Sequence, residues 1–261
     1  MISGRHAGAR PVRRKHPPSP WQNHLPCPER KHVPCFGANS PAANPLSGKA
    51  MPEFDPALLT PKQRAKLITA SVVPRPIALV TTLGPDGPNA APFSFFGAAG
   101  GANPMLMLSI GPKGPGKMKD TVRNIEALPE FVVHIVDERD KEKMNLCSTE
   151  WDYGVDEIAR SGFRAEPSRK VRPPRLADCP VQMECRLIHS AKLGPGPQTL
   201  IVGEVVHFHY REGLVDMDKL YVNVPEMHAM GRMEGADMYV RTTDRFSLRR
   251  PDRPDGTAYG D

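Results

Sequence analysis

The sequence predicts a mainly β protein with short helices, its strands closed into an antiparallel barrel. Three observations lead there. Apolar runs of strand length recur along the chain, glycine- and proline-rich turns separate them, and the helical segments are too few to cover both faces of a parallel sheet.

Of the 261 residues, the first fifty differ in composition from all that follow. They carry Arg5, Arg10, Arg13, Arg14, Lys15, Arg30, Lys31 and Lys49 against the single acid Glu29, so the net charge of +6 belongs to this stretch and the remainder is nearly neutral. Pro17, Pro18, Pro20, Pro26, Pro28, Pro34, Pro41 and Pro45 block regular structure, and residues 1–50 read as a disordered basic tail. Met51 follows directly and offers an alternative start. The charge distribution argues against nucleic-acid binding by the domain itself and leaves any polyanion contact to the tail. Arg13-Arg14 lacks the apolar stretch of an export signal, and no run of about 18 apolar residues is present to span a membrane. Cys27, Cys35, Cys147, Cys179 and Cys185 are odd in number and lack a disulfide-framework spacing, which fits a reducing cytoplasm. His24, Cys27, His32 and Cys35 are zinc-type ligands, but no apolar core surrounds them, and no metal site is assigned.

The domain is expected over residues 51–251, with a flexible tail at 252–261. Thr60 can cap a helix over 60–69, with Pro61 in its first turn and Gln63 completing a capping box. Residues 77–82 and 90–96 read as a hairpin around the long turn Gly84-Pro85-Asp86-Gly87-Pro88. Residues 105–110 and 131–136 are further strands, and between them Val122, Ile125 and Leu128 recur at helical spacing over 121–128. Residues 139–146 and 155–161 look like short helices, and 171–180 like an ordered surface loop. Long alternating strands at 181–191 and 199–210 form a last hairpin with Gly194-Pro195-Gly196-Pro197 at its tip.

The segment from Ser109 to Thr121 follows a strand and precedes a helix, which is where anions bind. Gly111, Gly114 and Gly116 let the backbone approach a phosphate, Lys113, Lys117 and Lys119 bring charge, and the helix N-terminus adds amide donors. Thr121 can donate a hydroxyl, and Asp120 is expected to cap the helix. Gly111 and Gly116-Lys117 match most of a G-x-x-x-x-G-K-[ST] loop, but Met118 replaces the hydroxyl residue and Pro112 and Pro115 remove two donors. A solvated lysine loop without ligand is the plainer alternative.

Val73-Pro74-Arg75-Pro76-Ile77-Ala78-Leu79-Val80-Thr81-Thr82, Asn89-Ala90-Ala91-Pro92-Phe93-Ser94-Phe95-Phe96, Ser109-Ile110-Gly111 and Lys119-Asp120-Thr121-x-x-Asn124-Ile125 occur in the order and spacing of one family. With residues 131–136, Pro167-Ser168-Arg169-Lys170-Val171 and Gly231-Arg232-x-x-Gly235, the chain resembles the flavin reductase-like proteins. The resemblance implies an FMN-binding split β-barrel, a homodimer, and reduction of flavin by NADH or NADPH. It implies phosphate contacts from Lys117, Lys119 and Thr121, ring contacts from Asn89, Ser94 and Phe95, and ring or ribityl contacts from Ser109 and Arg75. Thr81, Ala91 and Gly111 join the cofactor-binding set on the same ground. The insertion from Pro112 to Gly116 departs from the family pattern and leaves the individual lysine roles open.

A flavin ring needs an apolar slot with donors and acceptors along its edge, and residues 90–96 could line one. In a continuous strand Phe93 and Phe95 share one face and Ser94 and Phe96 the other, so not all can face a ligand, and core packing competes for the phenylalanines. The expected reaction is hydride transfer from nicotinamide to the flavin N5, for which no protein nucleophile is required and no catalytic residue is named. No G-x-G-x-x-G fingerprint follows a strand, so a nicotinamide would bind transiently over the flavin. Arg232 could neutralise an anionic group of that second substrate, and His228, four residues earlier, could join it. His207 and His209 share a strand face but lack a third metal ligand. The rival to an enzyme is a non-catalytic FMN electron carrier serving a protein redox partner; a reductase would instead supply a flavin-dependent monooxygenase or another acceptor.

Overall fold

The computed structural model describes residues 51–254, apart from Pro115, Pro195 and Ala236. The expectations for residues 1–50, including the cysteine and histidine set there, and for 255–261 lie outside the described residues.

Helix α1 (Pro61–Ser71) starts as its sequence requires: the Thr60 hydroxyl accepts from the Gln63 amide at 3.3 Å, and Gln63 Oε1 accepts from the Thr60 amide at 2.8 Å. The chain then runs through β1 (Arg75–Pro76), β2 (Ala78–Gly84), β3 (Gly87–Phe93), β4 (Phe96–Gly100) and β5 (Met105–Ile110) to α2 (Asp120–Ala127). After β6 (Glu130–Ile135) come α3 (Lys141–Leu146) and α4 (Glu157–Ser161), then the short strands β7 (Ala165–Glu166) and β8 (Arg175–Leu176). The long hairpin β9 (Val181–Lys192) and β10 (Thr199–Tyr210) follows, then β11 (Val215–Asp216), β12 (Tyr221–Val222), β13 (Met230–Arg232) and β14 (Tyr239–Arg241).

Seven strands form one sheet in the order β3-β2-β6-β9-β10-β5-β4, every pair antiparallel. Its two edge strands, β3 and β4, are consecutive in the chain and separated only by Ser94 and Phe95. Three peptide steps reach ~10 Å at most, so the sheet must curl until its edges meet at that corner. No ladder joins β3 to β4. The result is a barrel with an open seam, a split barrel.

Strand β2 is buried on both faces, so its alternation divides two cores. Ala78 and Val80 face the barrel interior with Leu108, Ile110, Phe131 and Ile201, while Leu79 and neighbouring Ile77 face a second cluster with Met144, Ile158, Phe163 and Leu176. Helix α2 packs Val122 and Ile125 into the first core, and α3 and α4 cover the second. Side-chain periods of 2 and 3.6 place these residues on common faces.

Four local expectations are corrected. The first hairpin does not carry a long loop: Gly84 pairs with Gly87, leaving only Pro85 and Asp86 at the turn, and Gly87 takes the positive φ of 137° that the reversal needs. The strand expected over 90–96 breaks after Phe93 where the chain crosses the seam. Asp120 does not cap α2; Lys119 is the N-cap residue, with no side-chain cap bond, and Asp120 is drawn to Lys113 at 3.1 Å instead. Residues 171–180 are no mere surface loop, because Val171, Leu176 and Cys179 are buried and β8 pairs with β7. Among the described residues, no helix is long and apolar enough to cross a membrane.

Candidate functional site

A cleft of about 230 Å³ opens at the seam of the barrel. One wall is the end of β3 and the crossing, from Ala91 through Phe95; the floor is Ser109 and Gly111 where β5 ends; the far wall is the start of α2 and residues 147–151. Because the crossing leaves the ladder, Phe93 and Phe96 turn against the barrel core while Phe95 stays half exposed at the cleft. The alternation expected of an unbroken strand therefore does not apply there.

Of the residues proposed from sequence, Asn89, Ala91, Ser94, Phe95, Ser109, Gly111, Lys119 and Thr121 all line this cleft. Lys117 lies in an adjoining groove with Lys192 and Thr199, and that groove shares Gly111, Pro112 and Lys119 with the cleft. Arg75 and Thr81 are not brought to either. The buried Arg75 guanidinium donates to the carbonyls of Thr69, Val72 and Met233, tying α1 to the turn after β13. The fully buried Thr81 hydroxyl donates to the Pro174 carbonyl. His228 is exposed at φ 49° after a 3-10 turn, and Arg232 pairs in register with Arg75 and stacks 4.5 Å over the Tyr239 ring. Neither lines the cleft. His207 and His209 do adjoin, at 4.6 Å between ring centroids, but His209 is bonded to Glu184, and no metal-type cluster occurs among the described residues.

The anion-binding features concentrate at one end. Helix α2 has no side-chain cap, so its first-turn amides and dipole face the cleft beside Lys119, whose ammonium lies 3.4 Å from Glu150. Lys113 is not free for a ligand: its ammonium donates to Asp120 and to the Trp151 carbonyl, pinning the loop to the far wall.

Residues not singled out from sequence complete the site. Glu157 of α4 is buried, and its carboxylate accepts from Asn89 Nδ2 at 2.8 Å and from the Ala90 amide at 3.2 Å. Burial pushes this carboxyl up, the hydrogen bonds from Ala90 and Asn89 oppose that, and nearby Asp120 adds to it. Cys147 also lines the cleft, and burial lifts its thiol to about 11, so it stays protonated at neutral pH. Trp151 carries a buried indole N–H with no acceptor among the described residues, and Arg160 stacks 4.7 Å over its ring. Nothing in the local sequence marked Glu157, because it meets Asn89 across 68 positions of chain.

This donor set suits a flat heteroaromatic ligand with an anionic arm. Ala91, Pro92 and Phe93 form an apolar strip, the Ser94 and Ser109 hydroxyls flank it, the Trp151 N–H has no acceptor among the described residues, and a lysine with helix amides waits at one end.

Comparison with known proteins agrees. The 2-nitrobenzoate 2-nitroreductase of Pseudomonas fluorescens is 38% identical with a TM-score of 0.70, the match covering 77% of this chain and 96% of that one. Nitrilotriacetate monooxygenase component B from Bacillus cereus is 30% identical with a TM-score of 0.73, covering 77% of this chain and all of that one. A split-barrel-domain protein from Shewanella frigidimarina, 18% identical over 75% of this chain and 96% of that one, shares the fold at a TM-score of 0.65. Residues 70–228 match the flavin reductase like domain, and the chain belongs to that family.

Proposed function

We propose that this protein binds FMN in the seam cleft and catalyses the reduction of flavin by NADH or NADPH. The observation that carries the proposal is the convergence, from three separate stretches of chain, of an apolar strip, hydroxyl donors and an uncapped helix N-terminus with Lys119 in one cleft.

In this reading Lys119 and the α2 amides hold the phosphate, Thr121 lines the same end of the cleft, Lys117 adds charge from the adjoining groove, and Gly111 lets the backbone come close. Ala91, Ser94, Phe95 and Ser109 line the ring, and the Trp151 N–H offers a donor to a ring or phosphate oxygen. Bound FMN supplies the hydride acceptor at its N5. The chain's own contribution is to orient the ring, to shield one face with the β3 wall, and to leave the Phe95 side open for a nicotinamide. Cys147 is a protein group that holds a proton beside the ring site. His228 and Arg232 lie apart from the cleft, so nicotinamide recognition is assigned to the mouth around Phe95 and Glu150.

The test is an anaerobic titration. Purified protein with FMN should bleach on adding NADH or NADPH at a rate that saturates with nicotinamide. Tight FMN retention with negligible nicotinamide oxidation would instead identify an electron carrier. The likeness to a monooxygenase component extends the proposal to an oxygenase partner that consumes the reduced flavin, which a coupled oxygen-uptake assay checks. We also propose a homodimer, supported by the exposed apolar Ile188, Phe208 and Tyr210 on β9 and β10, with light scattering as its test.

A further inference from the structure

Behind the cleft, a half-buried tyrosine and a set of buried polar side chains form a hydrogen-bond chain that runs one way. Tyr153 donates to Asn124 Oδ1 at 3.1 Å, and Asn124 Nδ2 to Thr82 Oγ1 at 3.0 Å. The Thr82 and Thr121 hydroxyls both donate to Asn89 Oδ1, at 3.4 and 3.2 Å, and Asn89 Nδ2 donates to Glu157 at 2.8 Å. The last acceptor dictates the direction. An ionised carboxylate can only accept, so Asn89 must turn its NH₂ to Glu157 and its carbonyl to the two threonines. The Thr121 proton is thereby committed inward, and none remains for the cleft that this residue, only 1% exposed, lines.

We propose that Glu157 is a positioning residue that keeps the Thr121 hydroxyl from donating to a phosphate monoester in the cleft, and so sets how tightly a phosphorylated flavin is held. This rests on the FMN site proposed above. The other half of the switch is geometric. The Ala90 amide, 3.2 Å from Glu157 Oε2, belongs to a strand and cannot reverse, so it always claims an acceptor oxygen. If Glu157 is replaced by glutamine, the new NH₂ must therefore face Asn89, and a protonated Glu157 that donates to Asn89 acts in the same way. Asn89 must flip to offer its carbonyl, its NH₂ then faces Thr121, and the Thr121 hydroxyl is released to donate to phosphate. With Glu157 ionised the cleft withholds that donor, and flavin can exchange, as delivery of reduced flavin to a partner requires.

The groups facing Glu157 are Asn89 and Ala90 of β3, Asp120 of α2, which is itself paired to Lys113, and the neutral Cys147 thiol just after α3. No cation stands against the carboxylate to oppose its protonation among these groups. Tightening of FMN binding is therefore expected as pH falls toward and through the raised Glu157 range. The phosphate titrates near pH ~6 as well, so variants are needed to separate the two.

The experiment measures dissociation constants of FMN and riboflavin for the full chain by flavin fluorescence between pH 5 and 8, in a double-mutant cycle of Glu157→Gln and Thr121→Val. At pH 7.5 Glu157→Gln is expected to bind FMN about tenfold more tightly than the wild type, the worth of one hydrogen bond to a charged group, with riboflavin unchanged. The gain should vanish in the double variant. If it persists there, only a negative charge has been removed and the proposal falls. If FMN and riboflavin weaken together in Glu157→Gln, the residue is merely structural and the proposal also falls. Should that variant fail to fold, the wild type and Thr121→Val decide: the acid-side tightening must be larger in the wild type, and equal profiles overturn the proposal. A wild type that binds FMN but shows none of this sinks only the present inference, whereas one that binds neither flavin sinks the FMN site as well.

Discussion

Gly203 of β10 lies against the ring of Phe131 so closely that a Cβ at position 203 would fall 2.4 Å from the ring Cζ and 2.8 Å from Cε1. Phe131 is fully buried in the barrel core, and β10 shifts register against β9 between Val202 and Gly203. The ring thus occupies the space of the missing side chain. Gly203→Ala is expected to destabilise the fold by about 1–3 kcal/mol, since neither a strand backbone nor a buried ring yields easily. Urea denaturation checks this, and an unchanged midpoint would contradict it.

His134 is buried and neutral between two backbone groups, with Nδ1 2.9 Å from the Leu79 carbonyl and Nε2 accepting from the Leu176 amide at 2.9 Å. Burial lowers its pKa to about 4, against a partial rise from the Leu79 bond. The unfolded chain takes up this proton near pH ~6.5 while the folded chain resists until about 4, so stability falls as pH drops through that window. The loss is on the order of 3 kcal/mol from this one residue. Thermal melts between pH 7 and 4 should show the decline. His134→Gln should be less stable at pH 7 but flatter with pH, and a slope that survives the substitution would refute the assignment.

Glu184 has no exposed surface, and its carboxylate gathers the amides of Arg169, Lys170 and Val171 at 2.7, 2.6 and 3.2 Å together with His209 Nε2 at 2.6 Å. It holds the 167–171 segment onto β9. Burial pushes this carboxyl up, but the bonds from Arg169, His209 and Lys170 together hold it below its ordinary value. Glu184→Ala leaves three backbone amides and His209 without their acceptor and is expected to cost roughly 3 kcal/mol. Hydrogen exchange should accelerate first at amides 169–171; uniform protection there would count against this role.

Lys119 stands at the α2 N-terminus beside the cleft, partly exposed and paired only loosely with Glu150. Replacing it with glutamine is expected to weaken FMN binding about tenfold and to reduce its salt dependence, because one charge-assisted contact and its screening are removed together. Riboflavin, which lacks the phosphate, should bind the variant as it binds the wild type. Equal losses for both flavins would place the phosphate elsewhere.

Much of the architecture could be read from local signals. The Thr60 and Gln63 capping box, the bounds of β5 and β10, and the helical spacing of Val122 and Ile125 rest on interactions within a few residues, which sequence displays directly. The placement of Gly111 and Lys119 where β5 gives way to α2 was legible for the same reason. Tertiary structure alone decided the rest. It made β3 and β4 opposite edges of one sheet, so that Ser94 and Phe95 cross a seam and do not continue a strand. It sent Arg75 and Thr81 to backbone carbonyls away from the cleft, and it brought Glu157 to Asn89. Those outcomes depend on closure of the sheet, which joins residues far apart in the chain by burial and hydrogen bonding, and no local periodicity carries that information.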